Sequence, residues 1–138
     1  MTRAIEPTEA QLEAFMRADQ AAPIGMLNLL KFRDKAEYKD GRDAGGLSGQ
    51  DAYGLYGLVA MEKIKAVGGR FFWGSPSSAP LIGGETDEWD MVAIVRYPSR
   101  KAFLDMIAMP DYQAALSHRE AGLAWQALIP CRGDAIPE

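Results

Sequence analysis

The longest unbroken apolar stretches of the chain predict its central strands. Five consecutive apolar residues, Met91–Val95, lie inside the segment Trp89–Tyr97, and the segment Gly25–Phe32 is apolar except at Asn28 and Lys31. A strand with one solvated face alternates apolar and polar residues, whereas a strand buried on both faces does not need to alternate. Both segments are therefore predicted to be strands buried on both faces, with Trp89–Tyr97 near the middle of a sheet.

Helical patterns flank and separate these strands. The first helix opens with a capping-box pattern at Thr8, and the second runs over Gln50–Val67. A third begins after Ser99, restarts at Pro110 and ends near Gly122. The second helix has a core stripe at helical spacing, formed by Tyr53, Tyr56, Ala60, Ile64 and Val67.

Shorter apolar runs predict the outer strands. A strand is predicted to start at Arg70–Trp73, to be interrupted at residues 74–76 and to continue over Ala79–Ile82. The interruption can be interpreted as a β-bulge. Leu123–Ile129 is predicted to be the last strand, closed by Pro130.

The polar, glycine-rich stretch from Arg33 to Ser48 is a long connection. Its glycines match neither the dinucleotide-binding nor the phosphate-loop spacing, so a surface excursion is favoured over a phosphate site. Because it has few apolar anchors, this stretch is expected to be the most mobile internal segment, or to become ordered against a partner or a ligand.

The order of elements after the first helix predicts the fold. Strand, helix, two strands, helix and strand form the α+β, ferredoxin-like βαββαβ arrangement, an antiparallel sheet in the order 4-1-3-2 with both helices on one face. The chain is predicted to be one domain over residues 1–138, with an N-terminal helical arm (1–23) and a ferredoxin-like core (24–130).

Strands that are apolar on both faces beneath a single helical layer leave one sheet face uncovered. An exposed apolar patch of several hundred Å², on the order of this face, is rare on a monomer. A second copy packed face to face would cover it, and two-fold homodimers are the commonest oligomers. A homodimer is therefore predicted.

Composition and charge argue against several classes of protein. The 138 residues carry a net charge of −4 with scattered Lys and Arg, so no nucleic-acid partner is predicted. No apolar run approaches the roughly 20 residues that span a bilayer, and residues 1–7 do not resemble a signal peptide. The single Cys131 and the single His118 argue against an intramolecular disulfide and a multi-histidine metal site. We predict a cytoplasmic protein with no metal, no cofactor and no membrane contact.

Several segments resemble an uncharacterised bacterial family. They are Asp51-Ala52-Tyr53 with Tyr56, Gly68-Gly69-Arg70-Phe71, Val92–Ser99, and Pro110-Asp111-Tyr112-Gln113-Ala114-Ala115 followed by Arg119. Over roughly Gly25 to Ile129 the chain resembles domain-of-unknown-function family 1330 of the dimeric α/β-barrel superfamily. The resemblance implies the ferredoxin-like fold and a dimer; the superfamily also includes cofactor-free monooxygenases, small-ring isomerases and haem enzymes. The chain departs from the family pattern at Arg96, at Gly74 and in its longer 33–48 stretch.

Two arginines are candidate ligand-binding residues. A guanidinium on a buried sheet face, as at Arg96, needs an anionic ligand or an ion pair, such as one with Asp90 of a second copy. Asp90 lies about 20 Å away along the same strand, too far to pair within one chain. Arg119 matches a recurrent arginine of the family. It either binds a carboxylate or enolate in a pocket, or fastens its helix to a backbone carbonyl or a carboxylate.

Further polar and aromatic side chains complete the candidate site. His118 is the default catalytic base, because histidine titrates near neutral pH, but a lone histidine on a surface helix is more often solvated. Tyr53, Trp73 and Tyr112 can stack on a planar ligand or serve as core packing. Asn28, in a buried strand, needs a hydrogen-bond partner, which a neighbour or a ligand can supply.

Two hypotheses for function stay open. The first is a small-molecule-binding homodimer that acts as a cofactor-independent enzyme, monooxygenase- or isomerase-like, on a small planar anionic or enolisable compound. Arg119 or Arg96 would stabilise negative charge, and His118 or an aspartate would move the proton. The second is a non-catalytic dimeric binding or assembly module in which the same residues are interface contacts. Fold analogy alone does not decide between them.

Overall fold

A computed structural model describes residues 4–137. Residues 1–3 of the predicted arm, and Glu138, lie outside the described residues. The helices are α1 (Glu9–Arg17), α2 (Gly49–Ala66), α3 (Arg100–Ile107) and α4 (Pro110–Gly122), and the strands are β1 (Ile24–Phe32), β2 (Arg70–Pro76), β3 (Met91–Tyr97) and β4 (Leu123–Arg132). Short turns of 3-10 helix form at Glu85–Asp87 and Gly133–Ala135. Nowhere in the described range is a helix both long and apolar enough to cross a membrane.

The four strands form one antiparallel sheet in the order β2-β3-β1-β4, which confirms the predicted ferredoxin-like topology. β1 and β3 are the central strands, as their apolar runs predicted. In the register of the sheet, Leu27 of β1 lies opposite Ile94 of β3 on one side and Ile129 of β4 on the other.

Local hydrogen bonds set where the helices begin. Thr8 and Ser48 each form a full capping box, in which the hydroxyl accepts from an amide of the first turn and a side chain of that turn accepts from the cap amide. Ser99 caps α3 through the amide of Ala102, 2.9 Å away. Pro110 stands at the start of α4, where its missing N–H costs nothing. These starts agree with the sequence predictions to within two residues.

The helix-covered face of the sheet carries the main core. Ile24 and Met26 of β1 lie opposite Tyr97 and Val95 of β3, and all four side chains are buried. Helix residues that complete this core are Tyr56, Ala60 and Ile64 of α2, Met106 of α3, and Tyr112 and Ala115 of α4. The predicted stripe of α2 therefore packs on the sheet, with Tyr53 and Val67 partly buried at its margin.

The opposite face of the sheet is more open. Alternate residues of β3 are buried toward the helices, whereas Val92 and Ile94 are only partly buried, as are Leu27 and Leu29 of β1. Burial on both faces, which we predicted for these strands, is therefore not reached within one chain. At one end of this open face the C-terminal residues fold back, and the Ile136 side chain lies against Gly25 of β1.

The outer strands differ from the prediction in three ways. The strand that begins at Arg70 runs unbroken to Pro76, and its bulge lies earlier, between Phe71 and Trp73. Residues 79–82 do not form the predicted strand; Leu81 and Ile82 lie in a surface loop and are 98% and 93% exposed. β4 continues through Pro130 to Arg132, which is possible because β4 is an edge strand and proline is tolerated there.

The 33–48 stretch packs within its own chain. Ala36 and Tyr38 are buried and form a small second core with Ala52 of α2 and Ala121 of α4. Backbone hydrogen bonds tie this stretch to the end of α4, as between the Glu37 amide and the Ala121 carbonyl at 3.0 Å. The stretch therefore has apolar anchors that its sequence pattern did not indicate, and its mobility stays a prediction.

Candidate functional site

A chain of polar side chains crosses the helix-covered face of the sheet. Arg119 of α4 donates through Nη2 to the side-chain oxygen of Gln126 in β4, 2.6 Å away. Gln126 donates through Nε2 to Asn28 Oδ1 at 3.1 Å, and Asn28 donates in turn to the Met26 carbonyl at 3.2 Å. A neighbour thus supplies the partner that Asn28 required. Each amide is oriented by the next, so the Gln126 oxygen is held toward the guanidinium.

Three tyrosines surround the same region. The ring of Tyr53 lies 5.4 Å from Phe32 of β1 and 5.2 Å from Tyr56, measured between centroids. The Tyr56 and Tyr112 hydroxyls share a hydrogen bond of 2.5 Å between α2 and α4. In the described part of the chain, the Tyr53 hydroxyl makes no hydrogen bond. The geometry therefore leaves one phenol donor unused beside the arginine.

Burial sets the protonation of these phenols. It raises the pKa of Tyr53 to about 12, and the positive charge of Arg119 only partly opposes this rise. Burial also raises the pKa of Tyr112, and it holds that of Tyr56 well above the ordinary tyrosine value, with Tyr112 adding to the effect. All three are consequently neutral hydrogen-bond donors near pH 7, and they are poor candidates for a general base.

The N-terminal segment covers this cluster. Arg119 Nη2 also donates to the Ile5 carbonyl, and the Gln126 amide donates to the Ala4 carbonyl at 2.9 Å. The second of the two interpretations of Arg119, a fastening to a backbone carbonyl, is thus realised in this conformation. Within residues 4–137 the guanidinium has no carboxylate partner.

Two of the predicted binding residues lie on the other side of the sheet. Trp73 is opposite Ile94 on the open face and is 51% exposed, and Arg96 shares that face. Arg96 donates to the Gly133 carbonyl at 3.2 Å, and Asp90 binds Lys31 at 3.3 Å. The sheet therefore separates Trp73 and Arg96 from the cluster that contains Asn28, Tyr53, Tyr112 and Arg119.

His118 lies apart from the cluster as well. It points toward the 33–48 stretch, where its Nδ1 lies 2.6 Å from the Tyr38 hydroxyl and its ring packs edge-on against Tyr38. A groove of about 370 Å³ lies beside this pair, and Lys39 and Glu120 form an ion pair of 3.1 Å at its rim. Nothing in this arrangement brings His118 to the Arg119 cluster.

Sequence reasoning missed Gln126, although a signal was present. Gln126 is a polar residue inside an apolar strand, which is the pattern that singled out Asn28. It also missed the Tyr38–His118 pair, because the two residues are 80 positions apart and only the docking of the 33–48 stretch joins them. Among residues 4–137, no group of three or more His, Cys, Asp or Glu side chains is placed to hold a metal ion.

The chain is similar in sequence and in fold to proteins of unknown function. A family described as a domain of unknown function, DUF1330, matches residues 47–130. Two crystal structures of the RPA0582 protein, one of them of the methylated form, share 37% and 35% identity with the chain, at TM-scores of 0.86 and 0.85. They cover 96% and 95% of this chain, and 96% and 97% of their own length is covered. RPA0582 is from Rhodopseudomonas palustris and is described as a protein of unknown function.

A more distant structure shares the fold. A dimeric ferredoxin-like protein of unknown function from Bacteroides fragilis is 10% identical, with a TM-score of 0.51 over 83% of this chain and 98% of its own. Among curated proteins, none matches the sequence.

Proposed function

Since this chain belongs to the DUF1330 family, whose description assigns no activity, we propose a function from the geometry of the site. The protein is a homodimer that binds a small, planar organic acid, with Arg119 holding the carboxylate. The proposed ligand lies on the helix-covered face of the sheet, among Asn28, Tyr53 and Tyr112.

A single observation carries this proposal: within residues 4–137, the partly buried guanidinium of Arg119 has only neutral acceptors. Its two partners are the Ile5 carbonyl and the Gln126 side chain, and the three protonated tyrosines lie near enough for its charge to lower their pKa values against the effect of burial. A buried charge without a counter-ion is costly, and a planar guanidinium matches a carboxylate with two parallel hydrogen bonds. An anionic ligand would therefore neutralise the site.

The tyrosines favour a ligand with a planar apolar body. Tyr53 offers a partly buried ring at the margin of the core, and its centroid lies 5.2 Å from that of Tyr56, which packs on Tyr112 at 5.6 Å. They also offer donors: the Tyr53 hydroxyl is unused, and one hydrogen bond between Tyr56 and Tyr112 leaves the second proton of that pair for another acceptor. A ring-bearing acid with a further oxygen fits these groups.

Binding is favoured over catalysis. The tyrosines keep their protons, and His118 is hydrogen-bonded to Tyr38 outside the cluster. Among the described residues, no group beside Arg119 is therefore suited to remove a proton near pH 7. The monooxygenase- or isomerase-like hypothesis requires a general base beside Arg119, or a ligand that reacts without a general base. The proposal is therefore a binding protein with a positively charged, phenol-lined site.

The homodimer is supported by the open face of the sheet. Leu27, Leu29, Val92 and Ile94 form a partly exposed apolar strip in the centre of that face. A second copy packed on this strip would bury it, and exposed apolar strips of this kind are usually buried in an interface. The Bacteroides fragilis protein of the same fold is described as dimeric. The cytoplasm is the proposed location, consistent with an exposed free thiol at Cys131.

Calorimetric titration tests the proposed ligand class. We expect benzoate and 4-hydroxybenzoate to bind, and uncharged benzyl alcohol to bind far more weakly. Arg119→Gln should lower the affinity for benzoate by about ten- to a hundredfold, because a charge-assisted and two-pronged contact is lost.

Arg17→Gln is the matched control, since Arg17 lies on the exposed side of α1 and forms an ion pair with Glu13. Its affinity for benzoate should equal that of the wild type. If Arg119→Gln and the wild type bind benzoate equally well, or if neither binds any acid of the series, the proposed function is wrong.

A further inference from the structure

Both hydrogen bonds of Arg119 leave from the same nitrogen. Nη2 donates to the Ile5 carbonyl and to Gln126 Oε1, so its two N–H groups are both engaged. In a guanidinium, one N–H of this nitrogen lies beside the Nε–H and the other lies beside an N–H of Nη1. A guanidinium can donate two parallel hydrogen bonds to a carboxylate from either of these two edges, Nε with Nη2 or Nη1 with Nη2. On Arg119, each edge already donates one of its two bonds to a neutral acceptor.

A carboxylate can accept two parallel hydrogen bonds from this guanidinium only if one of these acceptors leaves. Gln126 is the less movable partner, because it lies in β4 and its side chain is also bonded to Asn28 at 3.1 Å. Ile5 lies in a coil before α1 and is only partly buried. The Ile5 carbonyl is thus the acceptor that can leave at the lower cost.

The segment around Ile5 can move while α1 stays in place. The bonds from Gln126 to the Ala4 carbonyl and from Arg119 to the Ile5 carbonyl tie the segment to the sheet and α4. α1 has its own attachment farther along, where Phe15 packs edge-on against Phe103 of α3 at 5.5 Å. Residues 6 and 7 connect the two without belonging to a helix or strand.

We infer that residues 4–7 form a displaceable cover of the Arg119 site, here called the N-terminal strap. In the closed state the Ile5 carbonyl occupies the position of one ligand oxygen. A carboxylate ligand replaces it, and the strap swings away from β4. This inference rests on the proposed function and adds that the free protein competes with its own ligand, which lowers the apparent affinity.

Amide hydrogen exchange with and without saturating benzoate tests the strap directly. The Gln126 amide is bonded to the Ala4 carbonyl in the closed state, so its exchange should become faster when benzoate binds. The Ala127 amide is the internal control. Successive amides of a strand alternate in direction, so this one faces β1 and its exchange should not become faster.

Two substitutions at Ile5 should change the apparent affinity in opposite directions. Ile5→Gly loosens the closed strap, and about a threefold or larger increase in benzoate affinity is expected because the competing state is less populated. Ile5→Asp introduces a carboxylate at the residue whose carbonyl contacts Arg119; its attraction to the guanidinium should favour the closed strap and lower the affinity by a similar factor. Thermal melts of both variants confirm that the core remains folded.

The outcomes separate the strap from the proposed function. Faster Gln126 exchange on binding, with opposite effects of the two substitutions, supports the strap. If benzoate binding depends on Arg119 while Gln126 keeps its protection and both variants bind like the wild type, the strap is overturned and the proposed function stands. If benzoate binding is absent or does not depend on Arg119, both are overturned.

Discussion

Gly49 and Gly122 bring α2 and the end of α4 into backbone contact. A Cβ atom on Gly49 would lie 2.7 Å from the Gly122 carbonyl oxygen, and a Cβ on Gly122 would lie 2.3 Å from the Gly49 carbonyl oxygen. Gly122 is also close to Tyr53, whose amide nitrogen would be 2.8 Å from such a Cβ. Because all of these neighbours are backbone atoms, they cannot move aside as a flexible side chain can. This pair of glycines therefore sets how closely α2, which carries Tyr53, packs against the end of α4.

We predict that Gly122→Ala lowers the free energy of unfolding by about 1–3 kcal/mol or more, through overpacking of the α2–α4 contact. Gly54→Ala is the matched control, because a Cβ at Gly54 in the middle of α2 meets nothing within 4 Å. That change should instead stabilise the protein by about 0.5–1 kcal/mol through helix propensity. Chemical denaturation measures both values. Equal effects of the two substitutions would show that the close contact is unimportant.

The Asn28–Gln126 hydrogen bond should appear as a coupling between the two side chains. Gln126→Leu leaves Asn28 and Arg119 each without one partner, and we expect a loss of about 1–3 kcal/mol in the free energy of unfolding. Asn28→Leu should cost a similar amount. The double variant removes both groups of the bond, so its loss should be smaller than the sum of the two single losses. Strict additivity in denaturation experiments would contradict the polar chain described here.

High pH should destabilise the fold through its tyrosines. Four of the five tyrosines have a raised pKa, and burial raises that of Tyr53 to about 12 from an ordinary value of 10.0. Below pH 10 the phenols are neutral in both the folded and the unfolded states. As the pH rises from 10 toward 12 and beyond, the unfolded phenols ionise first, so their contribution to stability is progressively lost.

Denaturation midpoints measured between pH 9 and pH 12 test this trend, with phenolate absorbance followed in parallel. Tyr53→Phe should remove part of the decline, because the new side chain does not titrate. A flat stability profile above pH 10, with most tyrosines ionising in the folded protein, would contradict the burial of these hydroxyls.

A charge in the apolar strip of the open face should break the dimer. Wild-type protein at low micromolar concentration is expected to sediment at about twice the chain mass of 15.1 kDa. Ile94→Lys should sediment as a monomer, because a buried unpaired ammonium opposes association. Leu58→Lys is the control, since Leu58 is 70% exposed on α2, away from the sheet. A wild-type protein that is monomeric under these conditions, or an Ile94→Lys variant that stays dimeric, would contradict the proposed interface.

The sequence by itself determined the features that depend on neighbouring residues. The capping box at Thr8 consists of hydrogen bonds within four residues, so the residue types alone predicted it. The apolar run of β3 predicted a central strand, and the order of elements left few topologies to consider. For the site, the sequence singled out Asn28 because a polar residue in a buried strand needs a partner, and Tyr53 because its ring can stack or pack. Arg119 was singled out by its match to a recurrent arginine of the resembled family.

Only the tertiary structure decided which of the candidate residues meet. In a regular strand, residues two positions apart point to the same face of the sheet, which would place Phe71 and Trp73 together. The bulge between them reverses this alternation and turns Trp73 to the open face. Arg119 reaches Gln126 and Ile5 because β4 and the N-terminal segment lie side by side, a contact that spans 114 residues for Ile5. Contacts of this kind depend on register and on close backbone approach, which no local pattern of residues encodes.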